Sequence, residues 1–169
     1  MMKYSGVKWI GDIPNNWTLK KIKYCLLQSI TDGPHETPVF QNEGIPFLSV
    51  DGIQNNKLVF GDSYISEEDA NRYDKKCKPQ YGDILMGKAA SIGKIAIVDT
   101  HNRFQIWSPL ALIRTNESEL YNKFLNFYLE SSCGQEFINN YATKNTQMNI
   151  AMEDIEKIKI VIPPLKNNI

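Results

Sequence analysis

The sequence predicts an α+β fold: a single β-rich domain with a curved, mainly antiparallel sheet, hairpins and a few short-to-medium helices. Three observations predict it. The apolar runs are short, of strand length, and are separated by Gly, Pro, Asn and Asp. Residues 81–98, YGDILMGKAASIGKIAIV, set two such runs on either side of a loop flanked by Gly87 and Gly93, the pattern of a hairpin with a long or bulged turn. One stretch keeps a helical period over more than two turns: Leu120, Tyr121, Phe124, Leu125, Tyr128 and Leu129 fall on one face.

In chain order, residues 7–17 are an irregular lead-in punctuated by Gly6, Gly11 and Pro14, with Trp9 and Trp17 placed to pin it to the core. Residues 19–27 predict a short helical turn passing into a strand near 25–30. Residues 31–38, TDGPHETP, form a loop stiffened by two prolines. A strand over 44–50 starts at Pro46, a turn follows over 51–56, and 57–60 returns. Ser66 to Asp69 is a capping box opening a helix to about Tyr73, and 74–80 is a basic connector ended by Pro79. After the hairpin and a turn over 99–102, residues 104–114 make one or two strands around Ser108-Pro109. Ser118 is read as the cap of the amphipathic helix and Gly134 as its end, with a second helix over 135–141. Residues 144–149 are polar and amide-rich, 150–156 form a short helix, and Ile158, Ile160 and Ile162 alternate with lysines in a half-buried strand stopped by Pro163-Pro164.

Composition narrows the function classes. The chain has 169 residues, 42% hydrophobic and 22% charged, enough for one ordinary core. No apolar run reaches the roughly 20 residues of a membrane span, and the N-terminus lacks the apolar stretch of a signal peptide. Cys25, Cys77 and Cys133 lie far apart with no C-x-x-C, the pattern of reduced thiols in a cytoplasmic protein. His35 and His101 have no second ligand at metal spacing, and no cofactor is expected. The segment 87–94 differs from a nucleotide phosphate loop: five residues separate Gly87 from Gly93, and Ile95 stands where Ser or Thr would hold magnesium.

Formal net charge is zero, but its distribution is uneven. Between residues 24 and 71 the only cation is Lys57; between 72 and 114 lie Arg72, Lys75, Lys76, Lys78, Lys88, Lys94, Arg103 and Arg114 against Asp74, Asp83 and Asp99. A neutral chain with a basic central third suits a protein that turns one charged face to a polyanion. The glycine-flanked, lysine-bearing tip at 87–94 suits the same partner.

Several segments together resemble one target recognition domain of type I restriction–modification specificity subunits: IPNNW (13–17), TDGPH (31–35), GIPFLSV (44–50), GDILM with IGKIAIV (82–98), TQMNI (146–150) and IVIPPL (160–165). They follow the family's order over nearly the whole chain. The resemblance implies a non-catalytic module that reads half of a split DNA target. It implies, as partners, double-stranded DNA, a methyltransferase (modification) subunit that methylates adenine and, through it, a restriction subunit. It also implies that 1–165 is the recognition domain and that 166–169 begin a conserved spacer region which here stops short. No methyltransferase tetrad is present, since Ile162-Pro163-Pro164-Leu165 lacks both functional ends, which weighs against a methyltransferase fragment.

For DNA contact, Lys75, Lys76, Lys88, Lys94 and Arg103 are expected on phosphates. Gln105, Asn145 and Gln147, whose amides pair donor with acceptor, are expected on base edges, with Thr31 and His35 nearby and Ser91 and Lys144 completing the set. These groups are expected to face the same side of the body. A second reading, from another class, is a protein-interaction module that docks on a DNA methyltransferase subunit through the acidic stretches 67–69 and 117–136, with DNA contact secondary.

Overall fold

The structure, a computed structural model, describes residues 1–144 and 148–164. It opens with a ribbon of β1 (Met2–Tyr4) and β2 (Asp12–Pro14), then β3 (Thr18–Lys21), a 3-10 turn over Ile22–Cys25, and β4 (Thr31–Asp32). β5 (Ile45–Leu48) leads through a second 3-10 turn into the hairpin of β6 (Ile53–Gln54) and β7 (Lys57–Leu58). β8 (Tyr64–Ile65), helix α1 (Glu67–Asp74), β9 (Ile84–Gly87), β10 (Ile95–Ile97), β11 (Gln105–Ile106) and β12 (Leu110–Ile113) follow. The C-terminal part holds α2 (Asn122–Glu130), α3 (Ser132–Tyr141), the β13 (Thr143–Lys144) and β14 (Met148–Asn149) ribbon, α4 (Met152–Lys157) and β15 (Lys159–Ile162).

The central sheet is antiparallel, in the order β10-β9-β12-β4, and apolar on both faces. Side chains alternate across it. Ile84, Met86, Ile95, Ala111 and Ile113 meet Leu120, Leu125, Leu129, Ile138 and Ile155 of the helical side. Leu85, Ala96, Leu110 and Leu112 meet Leu48, Val50, Phe104 and Ile106 on the other. That second layer is a three-stranded sheet, β11-β5-β8, in which β11 runs parallel to β5. The strands thus occupy several small, mainly antiparallel sheets with this parallel exception.

Local chemistry accounts for several elements. Asn55 and Asn56 both take positive φ, 50° and 59°, making the two-residue turn that matches strand twist between β6 and β7. The Ser66 hydroxyl accepts from the Asp69 N–H at 3.0 Å, and Glu67, Glu68 and Asp69 complement the positive end of α1. Trp9 packs edge-on to Phe137 at 5.1 Å and Trp17 on Phe124 at 6.5 Å, so both pin the lead-in as expected.

Three expectations are corrected. Over 19–30 the order is strand and then helical turn, because Thr18 to Lys21 pair with Ile162 to Lys159 of β15, a partner that local periodicity cannot reveal. Ser118 does not cap α2: the Asn116 carboxamide accepts from the Ser118 N–H and hydroxyl, making a separate turn, and α2 begins at Asn122 with its N–H donating to Glu117. Gly134 lies inside α3, not at a helix end. A Cβ there would sit 2.2 Å from the Tyr128 carbonyl oxygen, so the glycine permits the tight corner between α2 and α3.

Two residues of α2 test this packing. Leu129 is fully buried and Phe127 is 67% exposed. Leu129→Ala is expected to lower unfolding free energy by about 2–5 kcal/mol and Phe127→Ala by less than about 0.5 kcal/mol, read from urea unfolding midpoints.

Candidate nucleic-acid interface

Strand register gathers several loops at one end of the central sheet. β9 ends at Gly87 opposite Leu110, and Ala111 stands opposite Asp32. The chain leaving β4, the 88–94 tip and the segment entering β12 therefore emerge together. Backbone bonds tie them: Ser108 N–H to the Pro34 carbonyl (3.2 Å), Lys88 N–H to Pro109 (2.9 Å) and Ile150 N–H to Lys88 (2.9 Å). Ala89 bridges to Asn149, so the β13–β14 ribbon joins the same end. Gly33 is pressed against β11: a Cβ there would lie 1.9 Å from the Ile106 carbonyl oxygen.

At the centre of this end is Asp32, whose side chain is 1% exposed. Lys76 Nζ lies 2.5 Å from Oδ1 and also donates to the Gly33 carbonyl at 3.1 Å. On Oδ2, His35 Nε2 stands at 3.0 Å and Lys88 Nζ at 3.2 Å, close contacts rather than well-directed hydrogen bonds. Burial pushes the Asp32 carboxyl up, and the two lysines more than reverse this, so it lies below the usual carboxylate range. A second fastening joins the same loop to α1: Arg72 bridges Glu36 and Asp69 at 2.7 Å, and the Tyr73 hydroxyl donates to Glu36. Asp32, Gly33, Pro34, His35, Glu36, Arg72, Tyr73 and Lys76 line an open cleft of about 420 Å³.

The expected site residues divide. His35, Lys76 and Lys88 converge on Asp32. Ser91 is half-buried in the tip, and Lys75 is exposed just after α1. Lys94 leans instead toward Asp51, 4.0 Å away. Three expectations need correction. Gln105 is fully buried, its amide nitrogen donating to Asp74 and the Cys77 carbonyl, so it is a core polar group and not a surface reader. The Arg103 guanidinium is engaged by Glu67, Asn71 and Asp74 along α1. The Thr31 hydroxyl is buried beside Cys77, whose thiol burial pushes up to about 11. The backbone of Lys144 lies in the β13–β14 ribbon, whereas Asn145 and Gln147 fall outside the described residues.

Sequence reasoning counts Asp32 only among the polar groups of its loop, not in the site, and it misses Gln135. An acid inside a run of donors, T-D-G-P-H, was the available signal for the first. Gln135 donates to the Gly93 and Leu129 carbonyls, bracing the tip on α3, and nothing local marks it. Many of the acids assigned to a protein-docking face are occupied within the chain: Glu67 by Arg103, Asp69 by Arg72, Glu119 by Lys20, Glu130 by Asn126.

The family model of the type I restriction modification DNA specificity domain matches residues 36–168. The chain belongs to that family. Similar proteins include one named as a type I restriction enzyme specificity subunit from Haemophilus influenzae, 34% identical over 107 residues, which cover 62% of this chain and 26% of that protein. Another, named as the MjaX specificity subunit of Methanocaldococcus jannaschii, is 27% identical over 161 residues, 93% of this chain and 35% of that protein. The fold is similar to the crystal structure of the HsdS subunit from Thermoanaerobacter tengcongensis, with a TM-score of 0.66 at 20% identity, over 99% of this chain and 37% of that one. It is also similar to the S subunit of a type I restriction–modification system from M. genitalium, with a TM-score of 0.60 at 18% identity, over 95% of this chain and 37% of that one. This chain spans about a third or less of the length of these relatives.

The Asp32 carboxyl gives a pH test. A carboxyl that binds its proton less tightly folded than unfolded stabilises the fold at pH values above the unfolded range. That contribution is lost as pH falls through the folded value. Asp32→Asn is therefore expected to lower the urea midpoint at neutral pH, and its difference from the parent chain to shrink on acidification below the ordinary carboxylate range.

Proposed function

We propose that this chain is a target recognition module that reads a short half-site of duplex DNA and catalyses no reaction itself. The observation that carries this reading is the convergence, at one end of the central sheet, of the TDGPH loop, the lysine-bearing hairpin tip and the β13–β14 ribbon. Cations at such an end supply affinity and register on phosphates, and neighbouring polar loops can follow base edges in a groove. The surrounding backbone is tied by hydrogen bonds to the sheet, so little ordering entropy is lost on binding.

Family membership supports the same reading. On it, a modification subunit would carry out adenine methylation and a restriction subunit cleavage, with this chain setting where they act, in the cytoplasm. Affinity of a single half-site reader is expected to be modest, because linkage of two readers would multiply it.

The test is selection from a pool of mixed-sequence duplexes by the purified chain, followed by sequencing of the bound fraction. Enrichment of one short motif is the expected result. Retention with no enriched motif, or retention only when a methyltransferase subunit is added, would turn the assignment toward a docking module.

A further inference from the structure

We infer that Lys76, Lys88 and His35, held around the buried Asp32 carboxylate, form one preorganised seat for a DNA backbone phosphate, with Asp32 as its positioning residue. This rests on the DNA-reading proposal and deepens it by assigning one cluster to the backbone rather than to the bases.

Four observations support the assignment. Two lysines face one carboxylate, so these three groups together carry excess positive charge. An approaching anion meets Lys76 and the His35 ring before Asp32: their side chains are 51% and 70% exposed, against 15% for Lys88 and 1% for Asp32. The groups come from three separate segments, the β4 loop, the tail of α1 and the hairpin tip, so one phosphate held there would fix all three in register on the duplex. The two lysines offer cationic donors and no paired donor–acceptor edge, which suits a phosphate and carries no base code.

Asp32 does for these side chains what a mobile surface lysine lacks. Lysine is a flexible point charge that loses much rotamer freedom when it is fixed on a ligand. Here two ammonium groups are already fixed by a carboxylate that water does not reach. The neighbouring arginines are committed elsewhere, Arg72 to Glu36 and Asp69, and Arg103 to α1. In the Asp32 cluster the cations outnumber the carboxylate, whereas Arg72 and Arg103 are each matched by two acids.

The inference makes an unusual prediction of sign. Removing an acid from a DNA-binding surface ordinarily strengthens binding. Asp32→Asn is expected to weaken it, about tenfold at fixed salt, because the lysines lose their shared anchor. Asp62→Asn, which removes an exposed acid outside the cluster, is expected to leave binding unchanged or slightly stronger. Lys76→Met and Lys88→Met are each expected to reduce the slope of log affinity against log salt by about one unit, with the motif enriched from the duplex pool unchanged. The probe throughout is a labelled mixed-sequence duplex, with circular dichroism of every variant as a check on folding. If Asp32→Asn does not fold, the two lysine variants decide. Tighter binding by a folded Asp32→Asn, or unaltered salt slopes in both lysine variants, overturns the phosphate seat while leaving DNA recognition standing. An altered motif in the lysine variants moves the cluster to base reading. Absence of duplex binding by the parent chain removes the underlying proposal and this inference with it.

Discussion

Strand β12 has to bury both of its faces, and the rest of the molecule follows from that constraint. Leu110, Ala111, Leu112 and Ile113 are all essentially inaccessible to water. A strand apolar on both sides needs a layer above and a layer below it. The helices α2, α3 and α4 provide one, and β5 with β11 provides the other. Its hydrogen-bonding edges are taken by β9 and β4, and a one-residue slip in either would send apolar side chains to the wrong layer. The register is thereby determined, and with it the fact that Asp32 and Gly87 finish their strands at the same end.

Two buried acids mark the two ends of that sheet, and they are handled differently. Near the far end, Asp83 is held by a bidentate Arg114, with Oδ1 to Nε and Oδ2 to Nη2 both at 2.7 Å, a closed pair of opposite charges. Near the loop end, Asp32 is shared among Lys76, Lys88 and His35. A buried carboxylate must be paired to be tolerated, and either arrangement satisfies that requirement. Only the second leaves positive charge over, on an end where loops are exposed. The difference between a structural ion pair and a candidate binding surface thus lies in charge balance.

Much of the fold was legible locally. The hairpin around 87–94, the Ser66-capped helix, the aromatic anchoring of the lead-in and the alternating final strand depend on residues close in sequence, and they stand where the residue patterns put them. The errors have a common origin. The periodicity of β3 is helical, and only its partner β15, at the opposite end of the chain, makes it a strand. Gly134 has the local look of a stop, while the backbone it must approach, at Tyr128, belongs to the preceding helix. Gln105 and Arg103 carry no local sign of burial or pairing; Asp74 on α1 decides the matter for both.

By itself, the sequence determined the fold class, the sheet-forming runs and the family, and it named the segments of the proposed DNA-reading surface, because periodicity, turn chemistry and motif order are properties of neighbours along the chain. Tertiary structure alone decided which of those segments share an end of the sheet and which cations remain available there. Availability depends on how many cations share each carboxylate within about 4 Å, and that balance exists only after β9, β12 and β4 have paired.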